Sequence, residues 1–226
     1  MHALRRRAAR AALHAADAFI AGSNAIRDDY ASLVPRATPF HVIPYGVAIG
    51  PAASRREARC PIRFGYVGSI APHKGVHIAA EAMRGIDPRD ARLHVWGDAT
   101  AFPAYASRLD AVVFEGTFAE EDKPRVFASM DVLLVPSTGL ESFGLAAREA
   151  MACGVPVIAS AGGALSELAG AELFPAGDAD ALRAILRRLI DEPRLIDEWS
   201  RRLPQPKRDD VHAEEIERVY RSVLAR

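Results

Sequence analysis

Short apolar runs recur along this chain of 226 residues and alternate with segments of helical pattern. From residue 62 onward the runs are near-continuous in apolar character rather than alternating, which is typical of strands buried on both faces of a parallel sheet. The predicted strands are residues 18–21, 41–44, 62–67, 92–96, 111–114, 131–135 and 155–159. We expect each strand from residue 62 onward to be covered by helices on both sides.

Helical segments separate these runs, and they are predicted at residues 24–33, 74–83, 120–130, 144–153, 178–191 and 211–225. In the helix 178–191, Asp178 is a candidate amino-terminal cap, and the inner stripe comprises Leu182, Ile185, Leu186 and Leu189. The repeated order of strand, loop and helix predicts an α/β fold with a doubly wound parallel sheet, which is Rossmann-like.

Composition narrows the classes of function. Half of the residues are hydrophobic, so a sizeable core can be buried, and 29 basic residues balance 29 acidic ones. Without a basic surplus, a nucleic-acid partner is not expected, whereas a small phosphate-bearing ligand needs only one or two cations. The two cysteines, Cys60 and Cys153, form no CxxC pair, so we expect a reducing, cytoplasmic setting without disulfides or zinc.

The first residues superficially resemble a signal peptide, but His14 and Asp17 interrupt the apolar stretch. No run reaches the ~18 apolar residues that a membrane span needs. The arginines among residues 5–10 leave two interpretations open. They form either a solvated helix face or a peripheral contact with anionic lipid at the inner face of the membrane.

The chemistry is concentrated in residues 136–168. A loop containing Glu141 and Ser142 follows the strand 131–135, and a helix begins near Gly144. A helix start carries unpaired backbone N–H groups and a partial positive charge, so it can bind a phosphate without a side chain. The loop and helix start therefore form a candidate phosphate site.

Two carboxylates frame this candidate site, Glu141 in the loop and Glu149 inside the helix. A carboxylate can accept two hydrogen bonds from a vicinal diol, so each glutamate is suited to a sugar. The alternative is that Glu141 is solvated and Glu149 is a buried helix acid paired with an arginine. The spacing of the two glutamates does not decide between these interpretations.

The segment ESFGLAARE with the following AMACGVPVIAS resembles the signature of glycosyltransferase family 4, the group 1 glycosyltransferases, which have the GT-B fold. Residues 66–83 resemble the family's first phosphate loop, and residues 112–137 resemble its base-binding strand. Residues 19–30 and 40–47 resemble the end of the acceptor domain and the interdomain linker. The resemblance covers nearly the whole chain in the expected order, and it implies the C-terminal half of a GT-B fold.

The resemblance also implies roles for individual residues. Glu141 and Lys74 would be catalytic: Lys74 would contact the diphosphate, and Glu141 would bind the hydroxyls of the donor sugar. Glu149 would bind the ribose. The other implied donor-binding residues are Gly68 and Ser69 in the first loop, Phe143, Gly144 and Leu145 at the helix start, and Phe114, Gly116 and Thr117 around the nucleobase. A lysine and a helix dipole can stabilise the developing charge of a diphosphate, so no metal or other cofactor is expected.

Two departures from the family pattern affect these expectations. Ser69 stands where many members have an arginine. Either Lys74 is then the only cationic side chain that binds the diphosphate, or the donor binds more weakly than in arginine-bearing members. Only the end of an acceptor domain is expected here. The predicted divisions are residues 1–47 as that end, 48–60 as a linker, 61–208 as the nucleotide-sugar-binding domain, and 209–226 as a helix crossing back to the acceptor domain.

The sequence thus predicts a retaining, metal-independent glycosyltransferase that uses a nucleotide-diphosphate sugar, with this chain as the donor-binding half. The alternative is a non-catalytic binding module or half-enzyme that needs a partner chain. A sugar-nucleotide epimerase on the same fold is less favoured, because the segment ESFGLAARE resembles transferases.

Asp178-Ala179-Asp180 has the form of a metal-binding DxD motif but opens a helix, which favours helix capping. Gly162-Gly163 forms either a tight turn or a ligand contact.

Overall fold

A computed structural model describes residues 2–48 and 57–225, which fall into two compact units. The smaller unit comprises residues 2–48 and 207–225, and the larger unit comprises residues 57–206. Most of the predicted linker, residues 49–56, lies outside the described residues. The assignment of the smaller unit to an acceptor domain stays a prediction.

The smaller unit contains a two-stranded parallel sheet of β1 (Phe19–Ala21) and β2 (Phe40–Val42). Its helices are α1 (His2–His14), α2 (Asn24–Tyr30) and the C-terminal helix, α9 (Asp209–Leu224). Ser23 caps α2 by accepting a hydrogen bond from the amide of Ile26. The start of α9 packs against the segment after β2, where the rings of Tyr45 and His212 meet edge to face.

The larger unit is built on a six-stranded parallel sheet. Its strands are β3 (Ile62–Val67), β4 (Ala91–Trp96), β5 (Val112–Gly116), β6 (Val132–Val135), β7 (Val157–Ala161) and β8 (Glu172–Pro175). Their spatial order is β5-β4-β3-β6-β7-β8, so the strand order reverses between β3 and β6. This is the doubly wound, Rossmann-like order, and it confirms the predicted fold class.

Helices cover both faces of this sheet. They are α3 (Val76–Met83), α4 (Pro103–Ala106), α5 (Lys123–Ala128), α6 (Leu145–Ala152), α7 (Ala179–Asp191) and α8 (Arg194–Arg201), with 3₁₀ turns at Pro72–Lys74, Glu120–Asp122 and Gly163–Glu167. On one face, α3 and α7 pack on Ile62, Phe64 and Leu93. On the other face, α5 and α6 pack on Leu133 and Val157. The buried stripe of α7 includes Leu182, Leu186 and Leu189, as predicted.

The structure also departs from the predicted elements. Strand β8 and the short helix α4 were not predicted. The strand predicted at 111–114 forms, but β5 lies at the edge of the sheet and Val113 and Phe114 are exposed. An apolar run does not reveal whether its strand is central, so the prediction that both faces of β5 are buried was wrong. The helix predicted at 74–83 is interrupted at Gly75, whose left-handed φ of 72° separates the 3₁₀ turn from α3.

Two predicted local features have clear outcomes. Asp178 caps α7 by accepting hydrogen bonds from the amides of Asp180 and Ala181, at 3.1 and 2.9 Å, which confirms capping for the DxD-like segment. Across the described residues, none of the helices has both the length and the apolar character required to cross a bilayer.

Candidate functional site

The candidate site lies at the carboxyl ends of β3 and β6, where the strand order reverses. Chain connections run to opposite sides of the sheet from this point, so the loops after the two strands diverge and leave a crevice. A cavity of about 240 Å³ occupies this position, and Glu141, Lys74, Gly68, Ser69, Gly144 and Leu145 are among its lining residues. These six of the sequence-predicted residues therefore surround one space.

The loop after β3 forms one wall of the cavity. Tyr66 donates a hydrogen bond from its hydroxyl to the carbonyl of Ser69 at 2.7 Å, which attaches the loop to strand β3. Burial raises the pKa of Tyr66, so this hydroxyl stays a donor at neutral pH. The 3₁₀ turn Pro72–Lys74 then carries Lys74 toward the opposite loop.

The loop after β6 is attached to that turn by its backbone. The amides of Thr138 and Gly139 both donate to the carbonyl of His73, at 2.9 and 3.1 Å. At Gly75 the two backbones approach so closely that a Cβ atom would lie 1.8 Å from the carbonyl oxygen of Pro136. Only glycine fits there, because no side chain could occupy the gap between the two loops.

Across this junction, Lys74 and Glu141 form an ion pair that joins residues 67 positions apart. The Lys74 Nζ lies 2.7 Å from Glu141 Oε1, and the Ser137 hydroxyl donates to the same oxygen at 2.6 Å. Burial raises the pKa of Glu141, but the hydrogen bonds from Lys74 and Ser137 outweigh burial and the net pKa is lowered. Glu141 is therefore held by two side chains rather than solvated, as the alternative interpretation had it.

The third wall of the cavity is the amino-terminal end of α6. Gly144 precedes this helix with a left-handed φ of 73° and, as a glycine, provides no side-chain cap. Phe143 is buried, and its ring lies 4.2 Å beneath the guanidinium of Arg148, which also donates to the Phe143 carbonyl. These contacts hold the backbone of residues 143–145, which the sequence predicts as the phosphate-binding segment.

Glu149 lies outside the cavity lining and is buried in the second turn of α6. Its Oε1 is 2.7 Å from the Nζ of Lys123, which also contacts Glu120 at 2.5 Å. The sequence left open a pairing with an arginine, and the partner is instead a lysine at the start of α5. Burial lowers the pKa of Lys123, but the two carboxylates outweigh it and the net pKa is raised.

The residues predicted around the nucleobase lie at the same edge of the sheet, two strands away from β3. Phe114 and Thr117 are exposed, and Gly116 accepts a hydrogen bond from the amide of Gly97 at 2.8 Å. A Cβ on Gly97 would lie 1.8 Å from the carbonyl oxygen of Gly68, so backbone contacts connect this region to the first loop. The nucleobase assignment stays a prediction.

Three polar residues of the site were not predicted from the sequence. Tyr66 and Ser137 line the cavity, and Lys123 pairs with Glu149. For Ser137 a signal existed, since it follows directly after a buried strand at the carboxyl edge of the sheet. Among the side chains that the structure describes, no group of three or more His, Cys, Asp or Glu residues could hold a metal ion.

The comparisons with known proteins agree on one family. A family model described as "Glycosyl transferases group 1" matches residues 61–192. The chain is 33% identical over 204 residues to an MMP alpha-(1->4)-mannosyltransferase of Mycolicibacterium hassiacum, covering 83% of this chain and 49% of the relative. It is 32% identical over 167 residues to a phosphatidyl-myo-inositol mannosyltransferase of Mycobacterium leprae, covering 67% and 44%. The chain therefore spans about half the length of the curated relatives it matches.

Solved structures match over almost the whole chain. The Anabaena protein HepE in complex with UDP and glucose superposes with a TM-score of 0.83 at 23% identity, covering 96% of this chain and 66% of HepE. A sucrose-phosphate synthase from Thermosynechococcus elongatus superposes with a TM-score of 0.78 at 27% identity, covering 98% and 62%. At this coverage, both matches include residues of the smaller unit as well as of the larger unit.

Proposed function

This chain belongs to the group 1 glycosyltransferase family, and from that premise we propose that it is the donor-binding half of a retaining, metal-independent hexosyltransferase. The hexose passes from a nucleotide-diphosphate sugar to an acceptor hydroxyl. The bond between the anomeric carbon and the diphosphate breaks, the acceptor oxygen bonds to the same face of that carbon, and the proton of the acceptor hydroxyl passes to an oxygen of the departing diphosphate. The donor therefore needs a site that holds its sugar and stabilises the charge on the departing diphosphate.

The observation that carries the proposal is the meeting of Lys74, Glu141 and the start of α6 around one cavity. The lysine and the amino-terminal end of α6, through the helix dipole, supply positive charge, which stabilises a leaving diphosphate. The carboxylate lies beside them and supplies an acceptor for sugar hydroxyls. A phosphate and a sugar that are covalently linked are the ligand that such a pairing fits.

Within this proposal each implied residue has one task. Lys74 and the backbone of residues 143–145 bind the diphosphate, Glu141 binds the donor sugar, and Glu149 binds the ribose. Gly68 and Ser69 form the loop that approaches the diphosphate, while residues 114–117 hold the nucleobase. Because Lys123 already occupies one side of Glu149, the ribose is accepted beside that ammonium rather than in exchange for it.

The names of the relatives support a hexose as the transferred group. Two of the matched relatives are called mannosyltransferases, and HepE was solved with UDP and glucose. The acceptor would be positioned by an acceptor domain or a partner chain, because the relatives are about twice as long as the matched segment. A peripheral membrane contact through the basic amino-terminal helix is part of the same proposal.

Calorimetric titration with UDP, GDP and ADP tests the donor site directly. We expect one of the three to bind, the matching nucleoside without phosphates to bind much more weakly, and EDTA to leave the binding unchanged. Binding that disappears with EDTA would contradict metal independence. Retention is tested on the full-length protein, by proton NMR of the anomeric centre in the first product formed.

A second candidate for the same cavity is a nucleotide-sugar-binding module without turnover of its own. Both candidates predict that the chain binds a nucleotide sugar. Release of nucleoside diphosphate from the donor discriminates between them, because a half that cannot position an acceptor should show none. Turnover that appears only after an acceptor-domain chain is added would support the half-enzyme.

A further inference from the structure

Ser137 is a buried polar residue of the cavity to which the sequence assigns no role. It follows the end of β6 by two positions, only 4% of its surface is exposed, and it lines the cavity beside Glu141. Its hydroxyl donates to Glu141 Oε1 at 2.6 Å. A buried hydroxyl that donates to a carboxylate restrains that carboxylate, because the hydroxyl has no water to take the partner's place.

A second buried serine fixes the backbone of Ser137. The Ser160 hydroxyl, on the neighbouring strand β7, donates to the Ser137 carbonyl at 2.6 Å and also lies 3.3 Å from the Val135 carbonyl. The start of the Glu141 loop is thereby tied to the sheet. The end of the loop is tied as well, because the amide of Ala164 donates to the Glu141 carbonyl at 2.9 Å.

The two donors to Glu141 differ in what a ligand does to them. Both contact Oε1, but in the proposed function Lys74 must also serve the diphosphate, so its hold on Glu141 weakens when donor binds. Ser137 has no such competing task, since its hydroxyl points to Glu141 from a buried position. It is the donor that can keep the carboxylate in place while the site is occupied.

We propose that Ser137 is a positioning residue, which holds Glu141 by Oε1 and presents Oε2 to the hydroxyls of the donor sugar. This inference rests on the proposed function, because it assumes that Glu141 contacts the sugar. A carboxylate that is already held in one rotamer loses less conformational entropy on binding. Loss of the Ser137 hydroxyl should therefore lower the affinity for the nucleotide sugar but not the affinity for the nucleoside diphosphate.

The test measures two affinities by calorimetry, for UDP and UDP-glucose or for GDP and GDP-mannose, whichever pair the unmodified chain binds. We expect Ser137→Ala to weaken binding of the nucleotide sugar about tenfold, as for loss of a hydrogen bond to a charged group. Binding of the nucleoside diphosphate should change less than twofold. Ser129→Ala is the matched control, since that serine donates only to a backbone carbonyl of its own helix segment.

Glu141→Ala and the double variant separate the inference from the proposed function. If Glu141→Ala leaves nucleotide-sugar affinity unchanged, the proposed role of Glu141 fails. If Glu141→Ala weakens binding and Ser137→Ala does not, the positioning role alone is overturned. The role is also overturned if Ser137→Ala still weakens binding in the Glu141→Ala background, because the two effects should not add.

A second variant covers the case in which Ser137→Ala does not fold. Ser137→Cys keeps nearly the same volume but replaces the hydroxyl by a weak donor, so it should show the same selective loss for the nucleotide sugar. The pH dependence of nucleotide-sugar affinity adds an independent check. Because the Ser137 hydrogen bond favours the ionised form of Glu141, the variant should begin to lose affinity at a higher pH than the unmodified chain as the solution is acidified. An unshifted profile would contradict the proposal.

Discussion

Two of the lysine–glutamate pairs in the larger unit, Lys74–Glu141 and Lys123–Glu149, have the same N–O distance of 2.7 Å. The first pair joins two loops at the edge of a cavity, and its side chains are 30% and 17% exposed. The second joins the start of α5 to the second turn of α6, and its side chains are 16% and 9% exposed. The same contact therefore occurs in two different surroundings.

The difference shows which pair can exchange partners. A ligand in the cavity can take over Lys74, since the ammonium and the carboxylate both line that space. Glu149 is buried on α6, so without Lys123 an unpaired carboxylate would remain in the interior. We therefore expect the loop pair to exchange partners when a ligand binds and the helix pair to stay intact and stabilise the fold, and four changes test this contrast.

The largest effect is expected from Gly75→Ala, which separates the two loops. A Cβ at this position would lie 1.8 Å from the Pro136 carbonyl and would also strain a left-handed residue. We expect the free energy of unfolding to fall by about 3–5 kcal/mol in urea titrations. The matched control is Gly85→Ala, at φ 77° with open space around it, which should cost only about 1–2 kcal/mol. Equal costs would contradict the close approach of the loops.

The next effect is expected from Lys123→Met, which leaves Glu149 buried without its cation. The free energy of unfolding should fall by about 3 kcal/mol, the lower end for a broken buried pair because some solvent reaches the ammonium. Combining it with Glu149→Gln should recover most of the loss, since the buried charge is then removed. If Lys123→Met alone leaves thermal unfolding unchanged, the helix pair does not stabilise the fold.

Lys74→Met should have a small effect on stability and a large effect on ligand affinity. Because the loop pair is partly exposed, its loss should lower the free energy of unfolding by only about 1 kcal/mol. Affinity for a nucleoside diphosphate should fall about 10- to 100-fold in calorimetric titrations. Lys207→Met removes the same charge from the smaller unit and serves as the control. A large stability loss with unchanged affinity would reverse the contrast between the two pairs.

The smallest effect is the pH dependence of the loop pair. Since the pKa of folded Glu141 lies below its ordinary value of 4.5, the pair contributes stability above that value and loses it as pH falls through the folded pKa. The melting temperature of the unmodified chain should therefore exceed that of Glu141→Gln at neutral pH. This gap should close as the pH falls below 4.5 and through the folded pKa of Glu141. A gap that stays constant on acidification would show that the charge of Glu141 does not contribute.

Much of the larger unit could be predicted from the sequence. Near-continuous apolar runs predicted five of its six strands, and the segment ESFGLAARE indicated the family and the position of the candidate site. The edge strand β8 was missed because Glu172–Pro175 is short and carries a glutamate and a proline. Such signals are local, and they can be recognised without knowing which strands are neighbours.

The side-chain partners were decided only by the tertiary structure. Lys74 meets Glu141 because β3 and β6 are neighbours in the sheet, and nothing in either local segment specifies that order. The same holds for Lys123 with Glu149 and for Ser160 with Ser137, which pair across separate elements. Hydrophobic period and helix caps depend on residues a few positions apart, whereas these contacts depend on how distant elements pack. The sequence therefore singled out Lys74, Glu141 and Glu149 as candidate site residues without predicting their partners.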